Sequence, residues 1–205
     1  MKLQAIAILT FLTFANVMAQ ETTTTKYINS TDMEALKLTQ EWDKTFPQSD
    51  KVEHTKIMFH NRYGITLAAD LYKPKNTQGR LAAIAVSGPY GAVKEQVSGS
   101  YAQTLAERGF LTIAFDPSYY GESGGTPRYL TSPEISTEDF SAAVDYLTSR
   151  ADVDLERIGI LGICGWGGFA LNAAANDPRI KATVTSTMYD LSLIHISEPT
   201  RPISI

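Results

Sequence analysis

Residues 162–174 read GICGWGGFALNAA, and the only cysteine of the 205-residue chain, Cys164, stands third in that run. The preceding stretch, RIGILGI (157–163), is a short, nearly continuous apolar run of the kind that forms a strand buried on both faces. The following stretch, GGFALNAAAN (167–176), reads as a helix. Cys164 therefore falls where a strand breaks sharply into a helix. Gly162 leaves out a Cβ where the turn must pack tightly, and the flanking glycines make a strained backbone at Cys164 tolerable. A helix that starts at the cysteine points its positive end at the sulfur and favours the thiolate, by roughly 0.3–1 kcal/mol. That end effect is small against what activating a thiol requires. Nucleophilic chemistry at such a cysteine needs a base.

Outward from this turn, strands alternate with helices. VEHTKIMFHNRYGITLAADLY holds two β-like runs, 52–59 and 66–72, joined by a turn containing Asn61 and Gly64, which is a hairpin signal. LAAIAVSG (81–88) and FLTIAFD (110–116) read as buried strands. KEQVSGSYAQTLAERG, closed by Gly109, and STEDFSAAVDYLTSR, capped by Ser136 or Thr137 with Glu138 and Asp139 behind it, read as helices. KATVTSTMY (181–189) is the last strand. An antiparallel opening followed by repeated strand–helix units predicts a mostly parallel, doubly wound α/β sheet covered on both faces. Functional residues in such sheets gather beyond the carboxyl ends of the strands. SGPYGAVKEQ, DPSYYGESGG and GICGWGG occupy those places.

The order of these pieces resembles the α/β-hydrolase superfamily over roughly residues 52–190. Strand–GICGWGG–helix resembles its nucleophile elbow, and a cysteine at that place is similar to the dienelactone-hydrolase branch. FDPSYYGESGG resembles the loop that follows the preceding parallel strand in these proteins. The resemblance implies Cys164 as the nucleophile and the Gly165 backbone N–H as one oxyanion donor. The second donor falls in the loop after the third strand, at the Tyr90 backbone N–H. The position two after the nucleophile is usually small, and here it is Trp166. Either the elbow opens slightly, or the indole lies over the site as part of an acyl pocket, which Tyr119 would also line. Asp116, Glu122 and Ser123 read as loop bracing, and Lys94, Glu95 and Gln96 as capping and solvation. His54 and His60, in the opening hairpin, read as surface or strand residues.

The resemblance places the acid and the histidine after the nucleophile in the chain. The one later histidine, His195, lies in LSLIHISEPTR (191–201), which matches residue for residue one reading frame of a transposase adapter used in preparing sequencing libraries. We expect residues 191–205 to be a non-native tail, comparable to a fusion scar, so His195 is given no role. The hydrolase domain (51–190) is then expected to be incomplete, cut after about the sixth strand, and the fragment inactive. At the other end, Lys2, the apolar run 5–14 and Val17-Met18-Ala19 predict a signal peptide of residues 1–19 and export to the periplasm or the extracellular space. That run is too short for a stable membrane span. Residues 20–50 are expected to form a polar leader and a first helix.

About 170 residues lie between the expected signal peptide and the expected tail, enough for one domain with a real core. The net charge of −4 and the lack of basic runs speak against nucleic acid as a partner. One cysteine leaves no intramolecular disulfide. No metal-ligand spacing, phosphate loop or dinucleotide fingerprint is present, so no cofactor or metal is expected. The reading is an exported hydrolase acting on a small-molecule ester, lactone or related acyl bond. The other reading is a non-catalytic binding protein on the same fold, with a structural Cys164.

Overall fold

A computed structural model describes residues 36–188. Its centre is a six-stranded sheet. The strands are β1 (Val52–His60), β2 (Thr66–Pro74), β3 (Leu81–Ser87), β4 (Leu111–Phe115), β5 (Val153–Ile163) and β6 (Ala182–Ser186). The helices are α1 (Val97–Glu107), α2 (Pro133–Thr148) and α3 (Trp166–Asn176). The strands lie in the order β1-β2-β4-β3-β5-β6. β1 and β2 form the expected antiparallel hairpin, and β2 also runs antiparallel to β4. The β4-β3-β5-β6 part is parallel.

The near-continuous apolar strands are explained by burial on both faces. Along β3 and β4, Ala83, Ala85, Leu111, Ile113 and Phe115 pack with Phe140 of α2 and Phe169 of α3. Val86 and Ala114 instead share a cluster with Ala102 and Ala106 of α1. Side chains on a strand alternate between faces, so each strand supplies both layers.

One helix boundary and one expected helix differ from the sequence expectation. α2 starts at Pro133 and not near Ser136, because Ser132 takes the cap position and its side chain accepts from the Ile135 N–H. A proline in the first turn fits there, since its missing N–H would have had no helical partner. Glu138 and Asp139, expected to follow a cap, are instead buried in the helix body. There Asp139 holds the hairpin turn and the β4 loop together: it accepts from Asn61 Nδ2 at 2.9 Å, the Ser118 N–H at 2.8 Å and the Ser118 hydroxyl at 2.8 Å. Burial outweighs those donors and pushes its carboxyl up to about 6. The first helix expected within 20–50 is not found in the described part, since residues 36–50 contain no helix. That segment runs against the hairpin and α1: Trp42 and Phe46 pack on the α1-side cluster, and Lys44 pairs with buried Asp70 at 3.1 Å. The expected signal peptide (1–19) and tail (191–205), His195 included, lie outside the described residues.

Candidate active site

β3 and β5 are neighbours, and Ser87, the last residue of β3, is in register with Gly162. The chain leaves β3 through α1 toward β4, on one side, and leaves β5 through α3 toward β6, on the other. Strand order reverses here, and the crevice beyond the carboxyl ends is the usual ligand site of an open α/β sheet.

At the tip of β5, Cys164 has φ +56°, a left-handed conformation that a side-chain-bearing residue rarely adopts. Its N–H donates to Ser186 O at 2.9 Å, and its C=O accepts from the Gly167 N–H at 3.0 Å. The strain is thus held by β6 on one side and by the first turn of α3 on the other. Gly165 is the α3 cap residue with helical backbone angles (φ −57°, ψ −29°), and its N–H comes before the first helical bonds. Gly162 is required for contact: a Cβ there would lie 2.4 Å from Trp166 O and 2.8 Å from both Ala170 Cβ and Gly167 Cα.

Trp166 resolves the departure seen in the sequence. Its side chain is 1% exposed and belongs to the core on the α2–α3 face, so it does not lie open over the site. Its ring meets Tyr90 at 5.4 Å, Tyr120 at 6.2 Å and Phe169 at 5.3 Å, all edge to face. Gly88, which follows β3, packs against the base of this residue. A Cβ on Gly88 would stand 2.9 Å from Trp166 Cβ and 2.3 Å from Ile163 O. The same closeness sets the loop carrying Tyr90 directly against the residue that precedes Cys164. Tyr90 is 49% exposed.

Tyr119, expected in the pocket, is turned into the β4 loop. It has φ +73° and is buried, with its N–H donating to Gly124 O at 2.8 Å. A Cβ on Gly125 would come within 2.5 Å of its ring. Among the described ring contacts it is the next residue, Tyr120, that reaches Trp166. The Tyr120 hydroxyl is tied to Thr131 Oγ1 at 2.8 Å.

Lys94 also departs from expectation. It does not reach solvent: its side chain is 0% exposed. Its ammonium lies 2.9 Å from Asp116 Oδ2 and 2.7 Å from Glu122 Oε2, with Glu95 also paired to it. Its own N–H donates to Asp116 Oδ1 at 2.7 Å. Burial disfavours the charged amine, but the field of Asp116 and Glu95 and the bonds from Glu122 and Glu95 outweigh it. The ammonium is held above the ordinary lysine value. Asp116 and Ser123 brace the loop as expected. Asp116 also accepts the Glu122 N–H at 2.9 Å, while the Ser123 hydroxyl donates to Asp116 O at 2.7 Å and accepts from the Ala68 N–H at 2.9 Å. A lysine in a polar, glycine-rich loop carries no local signal of such burial.

His54 and His60 are strand residues, as expected. His54 is bonded to buried Asp70 at 2.8 Å, and His60 is exposed. Both sit on β1, four strand positions from β5 in the sheet. At ~4.8 Å per step that is roughly 19 Å, too far to serve Cys164 as a base. Among the described residues no His, Cys, Asp and Glu group could hold a metal. A cavity of about 520 Å³ lies elsewhere, at the β5–β6 edge on the α1 side, lined by Ile84, Leu105, Phe110, Leu161 and Val184 among others. None of the elbow residues borders it.

A doubly wound sheet with a strained, glycine-packed residue between β5 and α3 defines an α/β hydrolase. Residues 63–197 match the peptidase S15 family, described as X-Pro dipeptidyl-peptidase (S15 family), and the chain belongs to that family. It is 66% identical over 173 residues to the uncharacterized protein PA2218 of Pseudomonas aeruginosa, a match that covers 84% of this chain and 46% of that protein. The crystal structure of PA2218 superposes with a TM-score of 0.77 at 68% identity, covering 78% of this chain and 50% of that one. The thiohydrolase aneE of Aspergillus aculeatus is 30% identical over 67% of this chain and 42% of its own length. The α/β hydrolase GrgF of Penicillium sp. sh18 superposes with a TM-score of 0.61 at 26% identity, over 65% of this chain and 45% of its own. The chain spans about half the length of the relatives it matches.

Proposed function

We propose that the full-length protein is a hydrolase of ester, lactone, thioester or related acyl bonds, and that Cys164 is its nucleophile. The observation that carries this is the left-handed backbone of Cys164 at a strand–helix turn, packed without side chains at Gly162 and Gly88. Backbone strain of this kind, about 1–3 kcal/mol, persists where the surrounding structure over-determines it, and it clusters at active sites. The thiolate attacks the acyl carbon, and the oxyanion that forms is bound by the N–H groups of Gly165 and Tyr90. The leaving group departs with a proton, which gives a thioacyl enzyme. Water then adds to that carbon, releases the acid and returns the thiol. The base and the acid are supplied from outside the described residues.

Family and relatives support an acyl substrate, because a peptide bond and a thioester are both acyl linkages. A cysteine at the elbow is what favours the dienelactone-hydrolase-like form of the chemistry. The reading includes export, with residues 1–19 removed, and needs no cofactor. The test is Cys164→Ala in the full-length protein, assayed on activated esters, lactones, acyl thioesters and X-Pro anilides. Loss of turnover on the substrate class that the parent cleaves is expected. Turnover equal to the parent refutes the assignment, and a parent that binds these compounds without cleaving any supports a binding protein instead.

A further inference from the structure

We infer that Lys94 is a positioning residue for acyl transfer: its buried ion pair with Asp116 clamps the loop that carries the second oxyanion donor. The inference rests on the reading of Cys164 and the Tyr90 N–H given above, and extends it to a residue remote from the reacting atoms.

The loop of residues 88–96 has little structure of its own. Its internal backbone bonds are two local turns, Ala92 N–H to Pro89 O at 3.1 Å and Gln96 N–H to Val93 O at 3.0 Å. Tyr90 and Gly91 are exposed. Such a segment is held by its ends and by the Tyr90 ring, which packs on Trp166 at 5.4 Å. One end is Gly88, wedged against Ile163 O and Trp166. The other is Lys94, bound to Asp116 by two separate bonds, from its backbone N–H at 2.7 Å and its ammonium at 2.9 Å. Asp116 directly follows β4, and its carboxylate also takes the Glu122 N–H. A Cβ on Gly121 would fall 2.2 Å from that carboxylate, so the β4 loop is folded tightly around it. Glu122 in turn binds the ammonium at 2.7 Å and is shared with Lys56 of β1 at 2.8 Å. The N–H of Thr39 donates to the other Glu122 oxygen at 2.6 Å. The clamp therefore joins the donor loop to β4, β1 and the leader segment at once.

A buried ammonium that meets three carboxylates has a geometric job that an apolar residue could not do at this place. A methionine would fill the volume and keep the backbone bond to Asp116, but it would lose the ammonium's bonds to Asp116 and Glu122 and so loosen this end of the loop. An oxyanion donor acts only when it lies close to where charge develops. A displacement of about 1 Å far from the chemistry can cost ~100-fold in rate.

The test compares Lys94→Met, and Lys94→Met combined with Asp116→Asn, in the full-length protein. The second variant removes both charges together and keeps an acceptor for the residue-94 N–H, so it serves where the single change leaves an unpaired buried carboxylate and fails to fold. Three readouts are taken: steady-state acyl transfer, alkylation of Cys164 by iodoacetamide, and amide hydrogen exchange over residues 88–93. Alkylation needs the thiolate but forms no oxyanion. The expected result is a fall in kcat of about 10–100-fold, with KM and the alkylation rate within about twofold, and faster exchange confined to the loop. Unchanged exchange at 88–93 overturns the clamp. Faster exchange with unchanged kcat, or alkylation that falls in step with kcat, overturns the positioning role. Cys164→Ala run alongside separates failure of the nucleophile reading: if that variant keeps its activity, the donor role of the loop falls with it, whatever the exchange data show.

Discussion

Replacing Cys164 by glycine and by alanine should come close to inverting an ordinary ranking. Neither variant has the sulfur, so both lose its contacts alike, and the comparison isolates the backbone. At an unstrained position inside a helix or strand, glycine is less stable than alanine by roughly 0.5–1 kcal/mol, because it loses more freedom on folding. The methyl group of alanine adds about 0.4 kcal/mol at a half-buried site such as this one, half the value of a fully buried CH₂. Cys164 has φ +56°, where a Cβ costs roughly 1–2 kcal/mol and glycine is exempt. The strain outweighs the other two effects by a few tenths of a kcal/mol, so Cys164→Gly is expected to be as stable as Cys164→Ala or slightly more so. At an unstrained position it would trail by about 1.2 kcal/mol. One kcal/mol moves Tm by roughly 2–4 °C in a domain of 150–250 residues. The assay is urea unfolding and thermal melting of both variants of the full-length protein, with acyl turnover measured alongside and expected to vanish in both. A glycine variant that trails by ~1 kcal/mol or more would refute the claim that the fold holds this residue in a left-handed conformation.

Gly88→Ala should destabilise the protein by about 3 kcal/mol or more. The new Cβ combines a left-handed φ of +96° with a 2.3 Å approach to Ile163 O. Adding Trp166→Ala should not rescue it in urea unfolding, because the clashing carbonyl belongs to the backbone. Glu122 gives a pH signature. Burial alone would raise its pKa, but hydrogen bonds from Lys56, Lys94 and the Thr39 N–H, with the Lys94 charge, hold it down near 2, from an ordinary 4.5. A depressed folded pKa contributes stability that is present above 4.5 and lost as pH falls toward 2. The stability gap between the parent and Glu122→Gln, followed by urea unfolding across that range, should therefore close with acid. A gap that stays constant would show that the carboxylate is not held by these partners.

Much of this architecture is legible in short-range pattern. The runs 81–88 and 110–116 could be read as strands buried on both faces because an apolar run without alternation suits such a strand. The hairpin followed from Asn61 and Gly64, and the elbow from glycines around a lone cysteine between a strand and a helix. All of these are local, set by neighbours within a few residues, and the structure bears out the fold they implied. The start of α2 was also written locally, in Ser132-Pro133, but the acidic run behind Ser136 offered a second cap, and only the packed helix decides between them.

Tertiary structure alone decided the rest. Tyr119 and Tyr120 are equivalent in composition. Which ring meets Trp166 depends on a positive φ at Tyr119, within a loop whose far side is Gly125. Trp166 looked too large for its place because two of the rings it packs against, Tyr90 and Tyr120, come from loops distant in sequence. Lys94 reads as a solvated charge in any window of its own loop, since the groups that make its burial tolerable, Asp116 and Glu122, come more than twenty residues later. The sequence by itself determined where strands, helices and the sharp turn fall, because propensity, patterning and glycine placement act along the chain. Which side chains meet around Cys164 was decided by sheet order and by close packing between strands that are distant in sequence, and neither leaves a mark within any one segment.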